Sequence, residues 1–495
     1  MPTSNPTASH ERRWLALTVV AIAQLMVVLD GTIVNIALPS AQRDLGFSND
    51  SRQWIVTAYA LAFGSLLLLG GRLSDIWGRK VSFIIGLCGF AAASVLGGLS
   101  GSFGFLVTAR ALQGMFGALL APAALGILTT TFTDPKERGK AFGIYGAVAG
   151  SGSAVGLLLG GFLTEYASWR WCLFVNVVFA AAAVVGAALF LAKPGPVGVR
   201  PAIDVPGVIS VTAGLVAIVY GFSNAASHGW GDLWTIITLV GGVVLLVIFV
   251  AIQRHSPHPL LPLRVILERD RGGSYLVLAL TSIGMFGVFL FLTYYLQLTL
   301  GYSALTTGLA FLPMTVAIML TSTVIGSQLL PRIGPRILVS IGGVLGAVGM
   351  ALLTRIDLGS GYAGVVLPGI VVLGLGLGLI FSSAMNTATA GVEPQDAGVA
   401  SAATNTMQQI GGSIGTALLS TLSAHAVTAY LIDHGTEPAA QANAVLAGYH
   451  LAFWVSTGVF VLIALIGATL LRGRSTRKVP DPVAPAEVET PVVLR

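Results

Sequence analysis

The chain has 495 residues, of which 55% are hydrophobic and 9% are charged. Soluble globular domains carry about 25% charged residues, so this composition excludes a soluble domain and indicates a membrane protein. The formal net charge of +6 is compatible with a nucleic-acid partner, so the distribution of the basic residues must decide whether such a partner is needed.

About fourteen apolar segments are long enough to cross a bilayer, which requires roughly 20 mainly apolar residues. They begin near Trp14, Trp54, Val81, Phe103, Gly139, Trp171, Pro206, Trp234, Gly272, Thr307, Ile337, Ala363, Gly398 and His450. The first segment follows two arginines as a signal peptide would, but it is longer, at about 25 residues, and has no convincing cleavage site. The sequence therefore predicts an all-α polytopic membrane protein with 14 transmembrane helices.

The basic residues are distributed unequally between the two sides of the membrane. With the N-terminus placed in the cytoplasm, all but five of the 26 Lys and Arg residues fall in cytoplasmic segments. The exceptions are Arg43, Arg52, Arg110, Arg170 and Arg355. This positive-inside pattern explains the net charge without a nucleic-acid partner, and it predicts that both termini face the cytoplasm.

Two charged residues lie within predicted membrane helices, Asp30 in the first and Arg110 in the fourth. An ionised side chain at this depth costs at least ~2.5 kcal/mol, and such residues usually face the bundle interior and are often paired. If helix 1 ends at Pro39 and helix 4 begins at Phe103, they lie about 13 and 10 Å below the outer surface, at ~1.5 Å per residue. We therefore expect Asp30 and Arg110 to lie at similar depth and to interact.

A short charged loop, GRLSDIWGRK, joins the second and third segments from Gly71 to Lys80. Gly71 and Gly78 permit a tight turn and a close helix approach. The Asp75 carboxylate is suited to bind a helix N-terminus or an arginine. The basic Arg79 and Lys80 place this loop in the cytoplasm.

Several motifs occur together in a fixed order. They are LDGTIVNIALP (Leu29–Pro39), the Gly71–Lys80 loop, RALQGMFGA (Arg110–Ala118), WRWCLFVN (Trp169–Asn176) and GLGLGLIFSSAMN (Gly374–Asn386). Their order and spacing resemble the fourteen-helix drug:proton antiporter family of the major facilitator superfamily, which includes multidrug and antibiotic efflux proteins. The resemblance implies two six-helix halves with two helices inserted between them and a substrate site at the interface of the halves.

A faint internal repeat is consistent with this duplication, since Gly70–Lys80 aligns with Gly326–Arg336 and pairs Gly78 with Gly334. The predicted organisation is a cytoplasmic N-terminal tail (1–13), an N-terminal six-helix bundle (14–192), two linker helices with their loops (193–271), a C-terminal six-helix bundle (272–471) and a cytoplasmic tail (472–495). The Pro- and Glu-rich composition of this last segment predicts disorder.

The resemblance implies a role for each charged motif. Asp30 is the expected proton-coupling residue, and Arg110 biases its charge state; a static ion pair that only fixes helix packing is the alternative. The gating loop consists of Gly71, Asp75, Gly78, Arg79 and Lys80. It is expected to hold the cytoplasmic ends of the two halves together in one state, and a basic turn that only sets topology is the alternative.

Helix 5 carries a stripe of small residues at intervals of four, Gly152, Gly156 and Gly160, and the last is followed by Gly161. Such a stripe lets a neighbouring helix approach closely. In the family this is the antiporter motif G-x-x-x-G-P-x-x-G-G. Here Leu157 replaces the Pro, so the kink that a Pro provides is not expected, and plain helix packing is the alternative function of the stripe.

Polar and aromatic residues on three helices are candidates for a substrate cavity that accepts an amphipathic molecule. They are Gln113 on helix 4, Phe286, Phe289, Tyr294 and Gln297 on helix 9, and Asn405, Gln408 and Gln409 on helix 13. The helix 13 residues share one face because they are three and four positions apart. Core packing is the alternative explanation for the aromatic residues.

No GxxxxGK[ST] phosphate loop occurs, so an ion gradient and not ATP is the expected energy source, with no cofactor. GGSIG, Gly411–Gly415, matches a hydrolase nucleophile elbow but lies in an apolar helix, so we expect no enzyme. Cys88 and Cys172 have no metal-ligand spacing, and no metal site is expected.

These observations predict a monomeric, multi-pass transporter of the cytoplasmic membrane that exports drug-like molecules in exchange for protons by alternating access. Its expected partners are the substrate, protons and the lipid bilayer, without nucleic acid. Two alternatives remain: an exporter of one endogenous metabolite or lipid, and a membrane sensor or scaffold that transports nothing.

Overall fold

The computed structural model describes residues 6–47, 49–191, 204–257, 259–393, 396–435 and 437–472. Within these ranges every regular element is a helix. The first part of the predicted linker and the C-terminal tail from residue 473 lie outside the described residues, so the disorder of that tail stays a prediction. The side chain of Leu157 also lies outside them.

Sixteen α-helices follow one another along the described chain. They are α1 (Pro6–Leu45), α2 (Asn49–Trp77), α3 (Arg79–Gly98), α4 (Phe103–Thr131), α5 (Pro135–Tyr166), α6 (Trp171–Phe190), α7 (Val205–His228), α8 (Leu233–His255), α9 (Leu263–Leu267), α10 (Arg269–Gly287), α11 (Ala304–Ala310), α12 (Leu312–Leu320), α13 (Ser327–Leu353), α14 (Leu367–Ala388), α15 (Ala397–His434) and α16 (Pro438–Thr469). Short π-helical stretches extend α10 to Thr299, join α12 to α13 and precede α14.

Thirteen helical stretches of the described chain are long and apolar enough to cross a membrane. They correspond to the predicted segments, apart from the one that begins near Gly139. That segment lies in α5, which has 32 residues and packs between α1 and α14. The prediction of an all-α polytopic membrane protein is therefore confirmed.

The predicted end of the first helix at Pro39 is wrong, because α1 continues through this residue to Leu45. A proline inside a helix removes one backbone hydrogen bond. The turns on either side of Pro39 compensate by burying Ala37, Leu38 and Ala41 in a cluster with residues of α2, α4 and α6. Tertiary packing thus outweighs the local helix-breaking signal.

The helices pack in two sets that meet along two seams. α1 to α6 pack on one another, and so do α10 to α16. The seams are formed by α2 with α15 and by α5 with α12 and α14, while α7 packs against α2 and α15 and α8 packs on α7. We call the two ends of this bundle the Asp75 end, where α2 ends and α15 begins, and the Asp44 end, where α1 ends.

The two glycines that the internal repeat pairs have the same backbone conformation. Gly78, between α2 and α3, has a φ of 87°, and Gly334 has a φ of 78° at a sharp turn inside α13. Side chains other than glycine rarely adopt such angles. Both turns lie at the Asp75 end, and they give the repeat a structural counterpart.

Candidate functional site

The structure brings together Asp30, in the second half of α1, and Arg110, in the first third of α4. Nη1 of Arg110 donates to Oδ2 of Asp30 at 2.6 Å, and the side chains are 1% and 0% exposed. Each member alone would be a buried, uncompensated charge, and breaking such a pair costs about 3 to 5 kcal/mol. The two helices are therefore coupled through this contact.

Three neutral side chains complete a hydrogen-bond network around the carboxylate. Oδ1 of Asp30 accepts from Gln113 Nε2 at 3.0 Å and from Asn176 Nδ2 at 2.7 Å. Ser94 Oγ accepts from Gln113 Nε2 at 2.7 Å and from Asn176 Nδ2 at 3.4 Å. Both oxygens of the Asp30 carboxylate therefore accept hydrogen bonds within this network.

Arg110 has further contacts that fix its guanidinium group. Nη1 also donates to Gln113 Oε1 at 2.7 Å, and Nε donates to the Ile55 carbonyl of α2 at 3.3 Å. The guanidinium carbon lies 4.4 Å from the centre of the Tyr59 ring, which is a cation–π contact. A cavity of about 10 Å³, roughly the room for one water, adjoins Arg110 on the side of the Asp44 end.

The sequence predicted Asp30, Arg110 and Gln113 as functional residues, although it assigned Gln113 to a substrate cavity and the structure places it in this network. The sequence analysis did not identify Ser94 or Tyr59, and it did not predict that Asn176 binds Asp30. Asn176 carries a usable signal, since it is an amide within an otherwise apolar helix and belongs to the WRWCLFVN motif. Serine and tyrosine are common in membrane helices, and they carry no such signal.

The glycine stripe of α5 lies against the part of α1 that carries Asp30. A Cβ on Gly152 would approach Val28, one on Gly156 would overlap Thr32, and one on Gly160 would approach Ile33. Gly161 is buried beside them. α1 and α5 can therefore approach at this depth only because these α5 positions have no side chain.

At the Asp75 end, the predicted gating loop contacts α15. Oδ1 of Asp75 accepts from the backbone N–H of Gly398, in the first turn of α15, at 3.1 Å. A carboxylate in this position interacts favourably with the helix dipole. A Cβ on Gly71 would lie 2.7 Å from the Gly398 carbonyl oxygen, so both glycines are needed for the close α2–α15 crossing.

The two basic residues of the loop point to other helices of the first set. Arg79 lies 4.0 Å from Asp75 and packs on Gly126 of α4. Nζ of Lys80 donates to the carbonyls of Ala188 and Leu191 at the end of α6, at 3.0 and 2.8 Å. A cation at a helix C-terminus is favourable, so Lys80 holds α3 to α6.

Arg138 of α5 forms a second contact between the two sets of helices at the Asp75 end. Its Nε donates to Oδ1 of Asn386 at 2.9 Å, and its Nη2 donates to Thr389. One turn further along α5, Ser322 Oγ donates to the Gly143 carbonyl at 2.9 Å. Both seams are thus closed by polar contacts near this end.

The connector between α8 and α10 covers the α2–α15 seam from outside. Leu260 and Leu261 are 0% and 4% exposed. They are buried in one cluster with Leu68, Val211, Leu215, Phe249, Val399 and Ala402, which come from α2, α7, α8 and α15. Arg264, which follows in α9, forms an ion pair with Asp396 at 2.7 Å, directly before α15.

The predicted cavity residues of α10 and its extension have mixed environments. Phe289 packs on Phe311 with ring centres 5.4 Å apart, Phe286 and Gln297 are half-buried, and Tyr294 is exposed. Phe289, Tyr294 and Gln297 lie on the stretch that contains two π-helical turns, a local widening that is frequent at functional sites.

On α15, Nδ2 of Asn405 donates to the Ser401 carbonyl at 2.9 Å. Gln408 and Gln409 are half-buried, and Gln409 lies beside Gly64 of α2. A separate cavity of about 720 Å³ opens at the Asp75 end, and its lining includes Arg138, Arg264 and Glu393. None of the predicted substrate-cavity residues lines it.

At the Asp44 end, one exposed ion pair ties α1 to α6. Asp44 accepts from Nη1 of Arg170 and, at 3.0 Å, from Nε1 of Trp169. The Arg170 bond, followed by the Trp169 bond, lowers the pKa of the Asp44 carboxyl below its ordinary value. Asp44 therefore stays ionised at neutral pH and contrasts with the fully buried Asp30 on the same helix.

The family model of the Major Facilitator Superfamily matches residues 20–416. The chain belongs to this superfamily. The superfamily resemblance seen in the motifs is therefore confirmed, and the chain is a multi-pass membrane protein of a transporter superfamily.

Within the superfamily, the chain is 52% identical to the puromycin resistance protein pur8 of Streptomyces alboniger over 467 residues, which cover 94% of this chain and 92% of the relative. It is 39% identical to the cephamycin export protein CmcT of Amycolatopsis lactamdurans over 411 residues, covering 82% and 84%. It is also similar to the crystal structure of the human organic anion transporter MFSD10 (TETRAN), with a TM-score of 0.65 and 17% identity, covering 94% of this chain and 100% of that chain. This last similarity concerns the fold alone.

Proposed function

We propose that the protein exports antibiotic-like small molecules across the cytoplasmic membrane in exchange for protons. The relatives at 52% and 39% identity are named for puromycin resistance and cephamycin export, and they align over more than four fifths of this chain. This similarity over nearly the full length is the observation that carries the proposal. The protein needs no cofactor in this function, acts as a monomer and binds its substrate between the two sets of helices.

Asp30 is the proton-coupling residue in this proposal. It is fully buried, it is paired with Arg110, and its network joins α1, α3, α4 and α6. Protonation would neutralise the carboxylate and weaken its bond to Arg110, so the tie between α1 and α4 depends on the charge of one group. Such a group converts proton binding into a change in helix packing.

The Asp75 end faces the cytoplasm in this proposal, because the basic loops lie there. The contact of Asp75 with α15 and the contact of Arg138 with α14 both join the two sets of helices. Opening toward the cytoplasm would have to break them. They act as a gate that stabilises the state closed at this end.

The test is efflux from cells that lack their own pumps, with a panel containing puromycin and a cephamycin. We expect expression to raise resistance to at least one compound and a protonophore to abolish the difference in accumulation. Asp30→Asn should reduce efflux to near background. The asparagine keeps one acceptor oxygen for Arg110, so the variant should still insert, which is checked by its amount in purified membranes.

Asp44→Asn is the matched control, because it removes an exposed carboxylate from the same helix. It should retain efflux. If Asp30→Asn retained full proton-driven efflux, the coupling acid would lie elsewhere. If no compound on the panel became less toxic, the proposal of a drug exporter would fail in favour of an exporter of one endogenous product.

A further inference from the structure

Two amide side chains donate to the same oxygen of Asp30, but only one of them is held at both of its polar atoms. Gln113 accepts from Arg110 at 2.7 Å through Oε1 and donates to Ser94 at 2.7 Å through Nε2. Rotating this amide would break both bonds. The orientation of Gln113 is therefore locked.

Asn176 differs, because only its nitrogen is engaged. Nδ2 donates to Asp30 Oδ1 at 2.7 Å, the residue is 0% exposed, and no group in the described part of the chain donates to its buried Oδ1. A buried polar atom without a partner destabilises the fold, so its presence calls for a reason. Rotation of this amide by half a turn exchanges Nδ2 and Oδ1 in nearly the same volume, and it breaks no bond at Oδ1.

We propose that Asn176 is a rotating amide that serves both charge states of Asp30. Its N–H group donates to the ionised carboxylate, and after rotation its oxygen accepts from the O–H group of the protonated acid. This inference rests on the proposed function, since it assumes that Asp30 takes up and releases a proton. Asn176 is a positioning residue, because it acts on the proton through Asp30.

Among the groups around Asp30, Asn176 is the one we expect to accept a hydrogen bond from the protonated acid. The titratable groups that face Asp30 are Arg110 from α4, Tyr59 from α2 and Cys172 from α6. Arg110 has no acceptor for an acid proton. α3 presents Ser94, whose hydroxyl lies 3.4 Å from the Asn176 amide and becomes a second donor to its oxygen after rotation. Toward this part of α1, the glycine stripe of α5 presents no titratable side chain.

The proton balance is simple. In the ionised state, Asp30 Oδ1 accepts the Asn176 N–H. A proton from water then binds Oδ1, the amide rotates, and the new O–H donates to Asn176 Oδ1. Release to water on the other side of the membrane reverses these steps, and no covalent bond other than the O–H bond forms or breaks.

Infrared difference spectroscopy of the full-length protein in lipid tests this directly. Acidification should produce a carboxyl C=O band that is missing in Asp30→Asn. Two substitutions of Asn176 are matched in shape: Asn176→Thr keeps a group that both donates and accepts, and Asn176→Val keeps neither. We expect the band to move to higher frequency in the Val variant, because the acid O–H loses its acceptor, and to stay near its original position in the Thr variant.

Transport provides the second readout. Asn176→Val should slow proton-driven efflux about tenfold, the scale of one lost buried hydrogen bond, and Asn176→Thr should retain most of it. An unchanged carboxyl band in the Val variant would overturn the rotating amide and leave the proposed function intact. If no carboxyl band disappeared in Asp30→Asn, the proton-coupling role of Asp30 would fail, and the role of Asn176 with it.

Discussion

The absence of a side chain at Gly156 allows α5 to approach α1 closely near Asp30. A Cβ at this position would overlap the Thr32 side chain on α1, two residues from Asp30. The α1–α5 contact and the Asp30 network are therefore linked through a few residues. A side chain at this point would displace the turn of α1 that carries the carboxylate.

We expect Gly156→Val to abolish efflux. Overpacking of a buried contact costs about 1 to 3 kcal/mol, and here the strain falls on the turn that positions Asp30. Gly241→Val in α8 is the control, because a Cβ there meets nothing within 4 Å. The test compares efflux from cells that express each variant and the melting temperature of each purified variant. Full efflux by Gly156→Val would show that the stripe is not a functional interface.

At the scale of elements, the Asp75 end combines an electrostatic contact with an apolar one. The charge of Asp75 meets the N-terminus of α15, and Leu260 and Leu261 of the connector are buried against the same seam. The Arg264–Asp396 pair is half exposed, since the side chain of Arg264 is 63% accessible, and a pair of this kind contributes little. The leucines and Asp75 therefore contribute more to the α2–α15 seam than this ion pair does.

Asp75→Asn should lower the rate at saturating substrate a few-fold with little change in substrate affinity. The loss of charge at the α15 N-terminus removes about 0.5 to 1 kcal/mol from one of the two states, far from the substrate. Asp270→Asn is the control, because Asp270 accepts from the Arg472 N–H at the same end, and no hydrogen bond or ion pair joins it to α15 among the described residues. A tenfold weaker substrate Kd at an unchanged rate would contradict the gating role.

The α5 helix is continuous from Pro135 to Tyr166, including the position where the family motif has a proline. The glycine stripe alone therefore brings α5 to α1. We expect Leu157→Pro to retain efflux, because its neighbour Gly156 and the stripe would still permit the approach. Leu158→Pro should lose it, since Leu158 packs on Gly308 of α11. If Leu157→Pro inserted but did not transport, a straight α5 would be essential in this protein.

At the scale of the whole molecule, the number of membrane-spanning helices decides whether the two termini lie on the same side of the membrane. If α5 crosses the membrane as well, fourteen spans run from α1 to α16, and this even number predicts both termini on the same side. The loop between α7 and α8 lies at the opposite end. The basic residues favour the cytoplasm for the Asp75 end.

Reporter fusions can test this orientation. A cytoplasmic reporter fused after Arg472 should be active, and the same reporter inserted at Gly231, between α7 and α8, should be inactive. Gly231 is a suitable site because its surroundings are open. Activity at Gly231 and none after Arg472 would reverse the orientation, and equal activity at both would contradict the fourteen-helix count.

The sequence alone located the thirteen helical stretches that are long and apolar enough to cross a membrane, because a bilayer imposes the same length and apolarity on every span. It also singled out Asp30 and Arg110, since a charge within an apolar segment is conspicuous. The superfamily motifs identified the Asp75 loop for the same reason: a short charged turn between long apolar segments is a local feature.

Only the tertiary structure decided what surrounds these residues. Ser94, Tyr59 and Asn176 are neutral side chains on separate helices, and nothing in their local sequence shows that they surround the same Asp30–Arg110 pair. Packing likewise carried α1 past Pro39 and buried Leu260 and Leu261 under the α2–α15 seam. These outcomes depend on contacts between residues far apart in the chain, and such contacts form only when the helices have packed.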